Sequence, residues 1–292
     1  MSWIPCSGIG GPDTLGNAII YRMSEREYVL GTHDEEIDRL GMQHRVWRNR
    51  MTACWQRAGF GVGQKLIDAG AGPGYATLDL AQIVEDKGCV LALELSERFV
   101  EWGKSVLQAN AVQNVDYRVH DLVNDQLTES GFDGAWCRWV LSFVSDPAGV
   151  IANVSEALRP GGRFAIHEYV DYSTWQYLSP KPEQAAFNEL TMRNWRSAGG
   201  EPNIGFALPD MLVKAGMKVV HAEPVFFSIR PCDYAWQWPK RWIEGSSKKL
   251  VESGILTQDK ADALLDELKK AEADANTIML SPSVIELVAV KT

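Results

Sequence analysis

The segment KLIDAGAGPGYATLDLA, residues 65–81, constrains the fold of this chain more than any other part of it. An apolar run leads into glycines at alternate positions, Gly70, Gly72 and Gly74, and the pattern predicts a helix from about Tyr75 onward. Because glycine has no Cβ, the main chain can turn sharply there and a ligand can approach the backbone closely. The start of the helix also presents unpaired N–H groups, which suit a carboxylate or a phosphate. The segment therefore predicts a strand–turn–helix unit whose turn binds a ligand.

Short apolar runs alternate with helical stretches on both sides of this turn. The strand-like runs are KLIDAG, CVLALEL, VDYRVHD, FDGAWCRWVL and RFAIHEY, and helices are predicted near 75–85, 97–110 and 147–158. Pro160 and the Gly161-Gly162 pair predict a turn that ends the last of these helices. This alternation predicts an α/β fold with a parallel sheet covered by helices on both faces.

Two common ligands of glycine-rich turns fit the sequence poorly. The dinucleotide fingerprint G-x-G-x-x-G/A requires a small residue where Tyr75 follows from Gly70 and where Thr77 follows from Gly72. A P-loop requires Lys followed by Ser or Thr, and no such pair follows the glycines. An NAD(P)-dependent oxidoreductase therefore stays open only as an alternative function.

The sequence Asp68-x-Gly70-x-Gly72-x-Gly74 resembles the first motif of the class I S-adenosylmethionine-dependent methyltransferases. The resemblance covers residues 60–170 well and is closest to the small-molecule branch that includes the ubiquinone and menaquinone biosynthesis methyltransferases. It implies a Rossmann-like doubly wound sheet, mostly parallel with a final antiparallel strand, and helical insertions that form a cap. It also implies S-adenosyl-L-methionine as the cofactor.

The same resemblance assigns cofactor contacts to residues of this chain. Glu94, at the end of the second strand, matches the residue that binds the ribose hydroxyls, and a carboxylate can accept both hydroxyl hydrogens. Asp121 matches the residue near the adenine amino group. A single carboxylate at a strand end is more often solvated or caps a helix. The assignment therefore depends on Glu94 and Asp121 following the glycine turn in this order. The complete expected set is Tyr28, Gln43, Asp68, Ala69, Gly70, Gly72, Gly74, Glu94, Leu95, Asp121, Leu122, Cys137 and Arg138.

The acceptor side is predicted from the ends of the fourth and fifth strands and from the insertions. The candidate catalytic bases are His167 and Glu168, whose strand end opens onto the same crevice, although His167 can equally be a hydrogen-bonded strand residue. An aromatic pocket would suit a planar, apolar or cationic acceptor, and core packing is the competing interpretation for each of its members. Its predicted residues are Trp139, Tyr172, Trp175, Trp195 and Trp238.

Six segments are expected along the chain. They are a lead with cofactor-covering helices at 1–58, a cofactor-binding core at 59–170, a cap insertion at 171–207, a core helix and strand at 208–231, a second helical insertion at 232–281 and a final core strand at 282–292.

Composition restricts the partners. A formal net charge of -9 provides no basic surface for a nucleic-acid backbone. The five cysteines form no CxxC pair and no cluster with histidine, so no metal is expected. No signal peptide or membrane-spanning run is recognised, and we expect a cytoplasmic monomer or homodimer that contacts no membrane.

The sequence as a whole predicts an S-adenosylmethionine-dependent methyltransferase that transfers a methyl group to an O, N or C atom of a small-molecule acceptor, mainly by proximity and alignment. A noncatalytic cofactor-binding protein with the same fold is the second alternative.

Overall fold

The computed structural model of the protein describes residues 34–292, so the predicted cofactor residue Tyr28 lies outside the described residues. The helices in this range are α1 Asp34–Arg57, α2 Tyr75–Val84, α3 Glu97–Ala109, α4 Pro147–Ala157, α5 Pro182–Ser197, α6 Leu208–Lys214, α7 Gln237–Glu252 and α8 Gln258–Ala273. The strands are β1 Lys65–Ala69, β2 Cys89–Glu94, β3 Val115–Val119, β4 Phe132–Arg138, β5 Leu158–Asp171, β6 Gln176–Tyr177, β7 Met217–Val225, β8 Ser228–Ile229, β9 Met279–Leu280 and β10 Ser283–Lys291.

Seven strands form the main sheet in the order β3-β2-β1-β4-β5-β10-β7. Strands β1 to β5 pair in parallel, whereas β10 is antiparallel to both β5 and β7. The predicted Rossmann-like sheet with a final antiparallel strand is therefore confirmed. Because β1, β2, β4 and β5 run in one direction, their carboxyl ends share one edge of the sheet, where ligands of such sheets bind.

Successive strand residues are buried on opposite faces of the sheet. On one face, Leu66 and Trp136 pack beneath α1 and α2, and on the other, Ile67 and Phe164 pack beneath α4 and α6. Each fully buried side chain of this size contributes about 1.5–3 kcal/mol of transfer free energy. This two-sided burial explains why the strands read as nearly continuous apolar runs.

The predicted turn after α4 is wrong in detail. Helix α4 ends at Ala157, and β5 already begins at Leu158, which pairs with Phe132 of β4. Gly161, at φ 79°, lies inside β5, where extra residues interrupt the pairing register between β4 and β5. The Pro-Gly-Gly segment is thus an irregularity within the strand, since glycine permits the positive φ that the bulged backbone needs.

Two insertions cover the carboxyl edge beside β5. The first contributes β6 and α5, the second contributes α7, α8 and β9, and strands β6, β9 and β8 join them in a small antiparallel sheet. Pro239 is the third residue of α7, a position where the missing N–H leaves no helical bond unmade. Within residues 34–292, none of the helices combines the length and the apolar character needed to cross a bilayer.

Candidate active site

The glycine turn follows β1 at the carboxyl edge. Gly70, Gly72 and Gly74 have φ angles of 75°, 58° and 89°, in the left-handed region that disfavours side chains. A Cβ at Gly70 would lie 2.2 Å from Cγ2 of Val140, whereas a Cβ at Gly72 would meet no atom within 4 Å. Gly70 is therefore required by packing and by backbone conformation, and Gly72 by backbone conformation alone.

Glu94 ends β2 and its carboxylate reaches back to this turn. Its Oε2 accepts a hydrogen bond from Gly72 N at 2.9 Å, and its Oε1 accepts one from Ser96 N at 2.9 Å. Burial raises the pKa of Glu94, and the backbone N–H groups lower it. A carboxylate has about four lone-pair sites, so roughly two stay available for further donors. The neighbouring Leu95 is 51% exposed, an apolar surface beside this carboxylate.

Tyr117 of β3 supports the turn from below and is not among the predicted site residues. Its hydroxyl donates a hydrogen bond to Gly72 O. A Cβ at Gly103 of α3 would lie 2.0 Å from Tyr117 Cε1, and one at Gly74 would lie 3.1 Å from the same atom. The signal available in the sequence was a lone glycine inside an amphipathic helix, which marks a close approach of another group.

Asp68 is the penultimate residue of β1 and is only 2% exposed. Its carboxylate accepts a hydrogen bond from Thr77 Oγ1 at 2.6 Å, which ties β1 to α2. Burial raises the pKa of Asp68 to about 6, and the hydrogen bond from Thr77 opposes that shift. Ala69, the next residue, is fully buried in the apolar core.

Helix α1 lies against the start of α2 through four polar side chains, two from each helix. The Tyr75 ring stacks on His44 with centroids 5.8 Å apart, and a Cβ at Gly41 would lie 2.7 Å from the Tyr75 hydroxyl oxygen. Asp79 interacts with His44 Nε2 at 3.1 Å and with Arg48 Nε at 2.8 Å. Although burial acts in the opposite direction, these hydrogen bonds lower the pKa of Asp79 to about 2. The contacts place α1 beside the glycine turn.

The remaining predicted cofactor residues on α1 and after β3 make contacts of their own. Gln43 faces α7, where its Oε1 accepts hydrogen bonds from Arg39 Nη1 at 2.9 Å and from Trp238 Nε1 at 3.1 Å. Asp121 accepts a hydrogen bond from the Asn124 side chain at 2.7 Å, and Leu122 packs into the apolar core. Cofactor contacts of these residues stay predictions.

Arg138 ends β4 on the face that carries α1. The closest acceptors of its guanidinium are His44 Nδ1 and Met51 Sδ, each at 3.5 Å, and the group lies 5.2 Å from the ring centre of Trp139. Burial lowers the pKa of Arg138 to about 10. Within the described part of the chain it forms no ion pair with a carboxylate. Cys137, one residue earlier, points to the opposite face and is fully buried among apolar side chains.

The five predicted acceptor-site aromatics belong to one buried cluster. Their exposed fractions are 7% for Trp139, 2% for Tyr172, 2% for Trp175, 4% for Trp195 and 4% for Trp238. The rings contact one another, with Trp139 stacked on Trp238 at 5.9 Å between centroids. In this conformation they pack together, and their contact with an acceptor stays a prediction.

Trp47 of α1 is the centre of this cluster and was not predicted to be part of the site. Its ring centre lies 5.2 Å from that of Trp139, 5.1 Å from that of Trp238 and 4.9 Å from that of Phe227. Trp47 and these three partners come from four separate stretches of sequence, so no local pattern links them.

His167 and Glu168 are both fully buried and point to opposite faces of β5. The His167 Nε2 atom lies 3.0 Å from Oε2 of Glu286, and burial lowers the pKa of His167. Glu168 accepts hydrogen bonds on Oε1 from the N–H groups of Val140 and Leu141, each at 2.7 Å. Burial raises the pKa of Glu168 to about 7. A base role for either residue stays a prediction.

Glu286 of β10 is shared by two groups of side chains that have metal-ligand chemistry. Cys54 and His167 lie within ligand-sharing distance of it on the buried side, and His221 and Glu223 on the outer side. Arg57 Nη1 already donates to Glu286 at 2.7 Å, and His221 Nε2 lies 3.1 Å from the same carboxylate. The carboxylate is thus engaged by protein donors.

Comparison with known proteins identifies this arrangement. A family model described as a methyltransferase domain matches residues 67–166. The ubiquinone/menaquinone biosynthesis C-methyltransferase UbiE of Psychromonas ingrahamii is 28% identical over 192 residues, covering 65% of this chain and 75% of that protein. Residues 67–166 of the chain therefore match a methyltransferase domain.

Other relatives agree with the methyltransferase domain in fold. An uncharacterized 37.1 kDa protein of transposon TN4556 from Streptomyces fradiae is 27% identical over 207 residues, covering 70% of this chain and 58% of that protein. The solved structure of YcgJ from Bacillus subtilis matches with a TM-score of 0.57 at 16% identity, covering 84% of this chain and 98% of that one. The chain spans about half the length of several of the curated relatives it matches.

Proposed function

We propose that this protein transfers a methyl group from S-adenosylmethionine to an O, N or C atom of a small-molecule acceptor. The observation that carries the proposal is the Glu94 carboxylate, which is fixed beside the glycine turn by Gly72 N and Ser96 N and keeps lone pairs for two more donors. A ribose diol presents two such donors. A dinucleotide site uses an acidic residue at the same place for its ribose, so the preference over NAD(P) rests on Tyr75 and Thr77 directly after the glycine turn.

Arg138 completes the cofactor site at its methionine end in this proposal. It is a partly buried cation without an ion-pair partner among residues 34–292, at the strand end next to the glycine turn. A carboxylate that docked there would form a charge-assisted bidentate pair, the interaction that guanidinium geometry favours. The methionine carboxylate of the cofactor supplies this group.

The methyl group of the cofactor sits on a sulfonium, which is already a good leaving group. Alignment of the acceptor can therefore supply most of the catalysis, and proximity alone contributes about 7–11 kcal/mol in favourable reactions. This fits a site where His167 is engaged with Glu286 and Glu168 with two backbone N–H groups. We propose that the cap contributes to catalysis mainly by aligning the acceptor with the methyl group of the cofactor.

The acceptor is a planar or apolar small molecule in this proposal. The cap presents aromatic rings at the ends of β4 and β5, and these rings offer stacking surfaces with few charged groups. The net charge of -9 opposes a nucleic-acid substrate. We further propose that the protein acts in the cytoplasm as a monomer or homodimer.

The second candidate is a protein with the same fold that either is not an enzyme or catalyses a reaction other than methyl transfer. Two observations favour it. The acceptor-side aromatics are closed against one another. A [4+2]-cyclase, SpnF, also has this fold, with a TM-score of 0.52 at 17% identity over 83% of this chain and 80% of that one. The fold therefore does not fix the reaction.

Transfer of a labelled methyl group separates the two candidates. The full chain is incubated with S-adenosylmethionine labelled in its methyl group and with a fractionated small-molecule extract. Appearance of label in an extract component, absent with Glu94→Ala and retained with the exposed-residue control Glu101→Ala, supports methyl transfer. Cofactor binding without any label transfer across all fractions favours the second candidate.

A further inference from the structure

The chain makes a strained turn directly after β4, and we call residues 139–144 the β4 turn. Trp139 has a φ of 51°, in the left-handed region that is unfavourable for a bulky side chain. Its N–H still continues the sheet, donating to His167 O at 3.0 Å. The residues that follow form a helical turn, in which Phe143 N and Val144 N both donate to Val140 O. The β4 turn therefore holds a conformation that its own sequence disfavours.

A carboxylate from the neighbouring strand occupies the concave side of this turn. A left-handed residue followed by a right-handed one directs successive N–H groups to one side, which makes a small anion-binding concavity. The N–H groups of Val140 and Leu141 both donate to Oε1 of Glu168 at 2.7 Å. Glu168 and Leu141 are both fully buried, so the Leu141 N–H has no water to replace this acceptor.

The β4 turn connects the two halves of the site. On one side, Val140 lies directly over Gly70, where even one added carbon would be 2.2 Å from Val140 Cγ2. On the other side, Ser142 O accepts hydrogen bonds from Trp195 Nε1 at 2.8 Å and from Glu201 N at 2.9 Å. A displacement of the β4 turn would therefore reach both the glycine turn and the cap.

We propose that Glu168 is a positioning residue that holds the β4 turn in its strained form. In this form Val140 lines the cofactor site and Ser142 O binds the cap. The inference rests on the proposed function for the identity of the ligand. It gives Glu168 a role that does not require proton transfer, because Oε1 acts as the acceptor for two backbone donors. The proposed role depends on the hydrogen-bond acceptor Oε1 of Glu168.

Binding of S-adenosylhomocysteine by calorimetry tests this assignment in the full chain. Glu168→Gln keeps a carbonyl oxygen that can accept both N–H groups, whereas Glu168→Leu leaves both donors, one of them fully buried, without this acceptor. We expect affinity within about threefold of the wild type for Glu168→Gln and a loss of about tenfold or more for Glu168→Leu. The matched control is Glu286→Gln, which alters an equally buried carboxylate on the adjacent strand that does not touch the β4 turn.

A second readout separates positioning from general stability. Hydrogen exchange of the Val140 and Leu141 amides and of residues 195–201 should accelerate in Glu168→Leu and stay unchanged in Glu286→Gln. If Glu168→Leu does not fold, Val140→Ala tests the same side of the cofactor site without altering the carboxylate. We expect this variant to bind S-adenosylhomocysteine more weakly as well.

The outcomes are distinguishable. A wild-type chain that does not bind S-adenosylhomocysteine contradicts the proposed function. A wild-type chain that binds it while folded Glu168→Leu or Val140→Ala binds equally well overturns the positioning role of Glu168. Equal impairment in Glu168→Gln and Glu168→Leu overturns it as well, because the retained acceptor oxygen would then have no effect.

Discussion

The cofactor half and the acceptor half of the sheet edge are built in different ways. In the cofactor half, a glycine turn and the carboxylate that contacts it come from β1, β2 and the residues immediately after them. In the acceptor half, rings from α1, β5, α5, α7 and the residue after β4 pack into one cluster. The first half is specified by backbone conformation over a short stretch of sequence, and the second by side chains that meet only in the folded chain.

This difference explains what could be predicted. A strand, three glycines and a helix must appear in order for the turn to form, so the sequence displays the cofactor half as a pattern. Trp47 has no such pattern, because its partners Trp139, Trp238 and Phe227 are far from it in sequence. Every aromatic residue of the insertions looks equally suited to a pocket or to a core when no partner is known.

The largest expected effect comes from removing the centre of the acceptor half. Trp47→Ala should lower the free energy of unfolding by about 3–5 kcal/mol, because a fully buried tryptophan leaves a cavity among rings that cannot close over it. Chemical denaturation measures this. Trp102→Ala, at a residue that is 39% exposed, is the control and should cost about 0.5 kcal/mol. Equal losses would mean that the aromatic cluster is not a packed unit.

The next effect comes from the cofactor half. Gly70→Ala places a carbon 2.2 Å from Val140 at a φ of 75°, and we expect S-adenosylhomocysteine affinity to fall by about 100-fold, or about 2.7 kcal/mol. Gly72→Ala is the matched comparison, since it meets no atom and carries only the left-handed strain of about 1–2 kcal/mol. Calorimetry that found Gly72→Ala to be the weaker binder would contradict the packing role of Gly70.

A smaller effect is expected at the support beneath the glycine turn. Tyr117→Phe removes the hydroxyl that donates to Gly72 O and should cost about 1 kcal/mol of stability, with a modest loss of cofactor affinity. The comparison variant is Tyr234→Phe, whose hydroxyl contacts the exposed Arg45 instead. Thermal unfolding of both variants tests whether the buried hydroxyl is worth more than the exposed one.

The smallest effect concerns the pH dependence of the free energy of unfolding, to which His167 on one face of β5 contributes. Burial lowers the pKa of His167 below 6.5, so the unfolded chain takes up a proton there before the folded chain does. The stability that neutral His167 contributes is therefore complete above about pH 6.5 and is lost as the pH falls toward its folded pKa. The difference in unfolding free energy between wild type and His167→Gln should shrink from about pH 7.5 to about pH 5 and stay constant between about pH 7.5 and pH 8. A difference that grows on acidification would reverse the assigned direction.

Other parts of the molecule escaped prediction for physical reasons. Tyr117 supports the turn only because Gly103 of a different element leaves room for its ring, and that pairing is a tertiary contact. Helix α7 begins in YAWQWPKRW, where Pro239 resembles a helix breaker but lies in the first turn. The β4 turn depends on Glu168, 28 residues after Val140, so its strained form has no local signature. By contrast, a parallel sheet covered by helices on both faces follows from the alternation of elements and was predicted.

The most direct test of the central claim is calorimetric binding of S-adenosylhomocysteine to the wild type, to Glu94→Ala and to Glu101→Ala. Glu94 lies between the glycine turn and the start of α3, and Glu101 is an exposed carboxylate on that helix. The account predicts saturable binding to the wild type and to Glu101→Ala, with an affinity at least about tenfold weaker for Glu94→Ala, which loses two hydrogen bonds to the ribose. Equal binding by all three proteins would show that the cofactor is not held at the glycine turn, and absence of binding to the wild type would contradict the account as a whole.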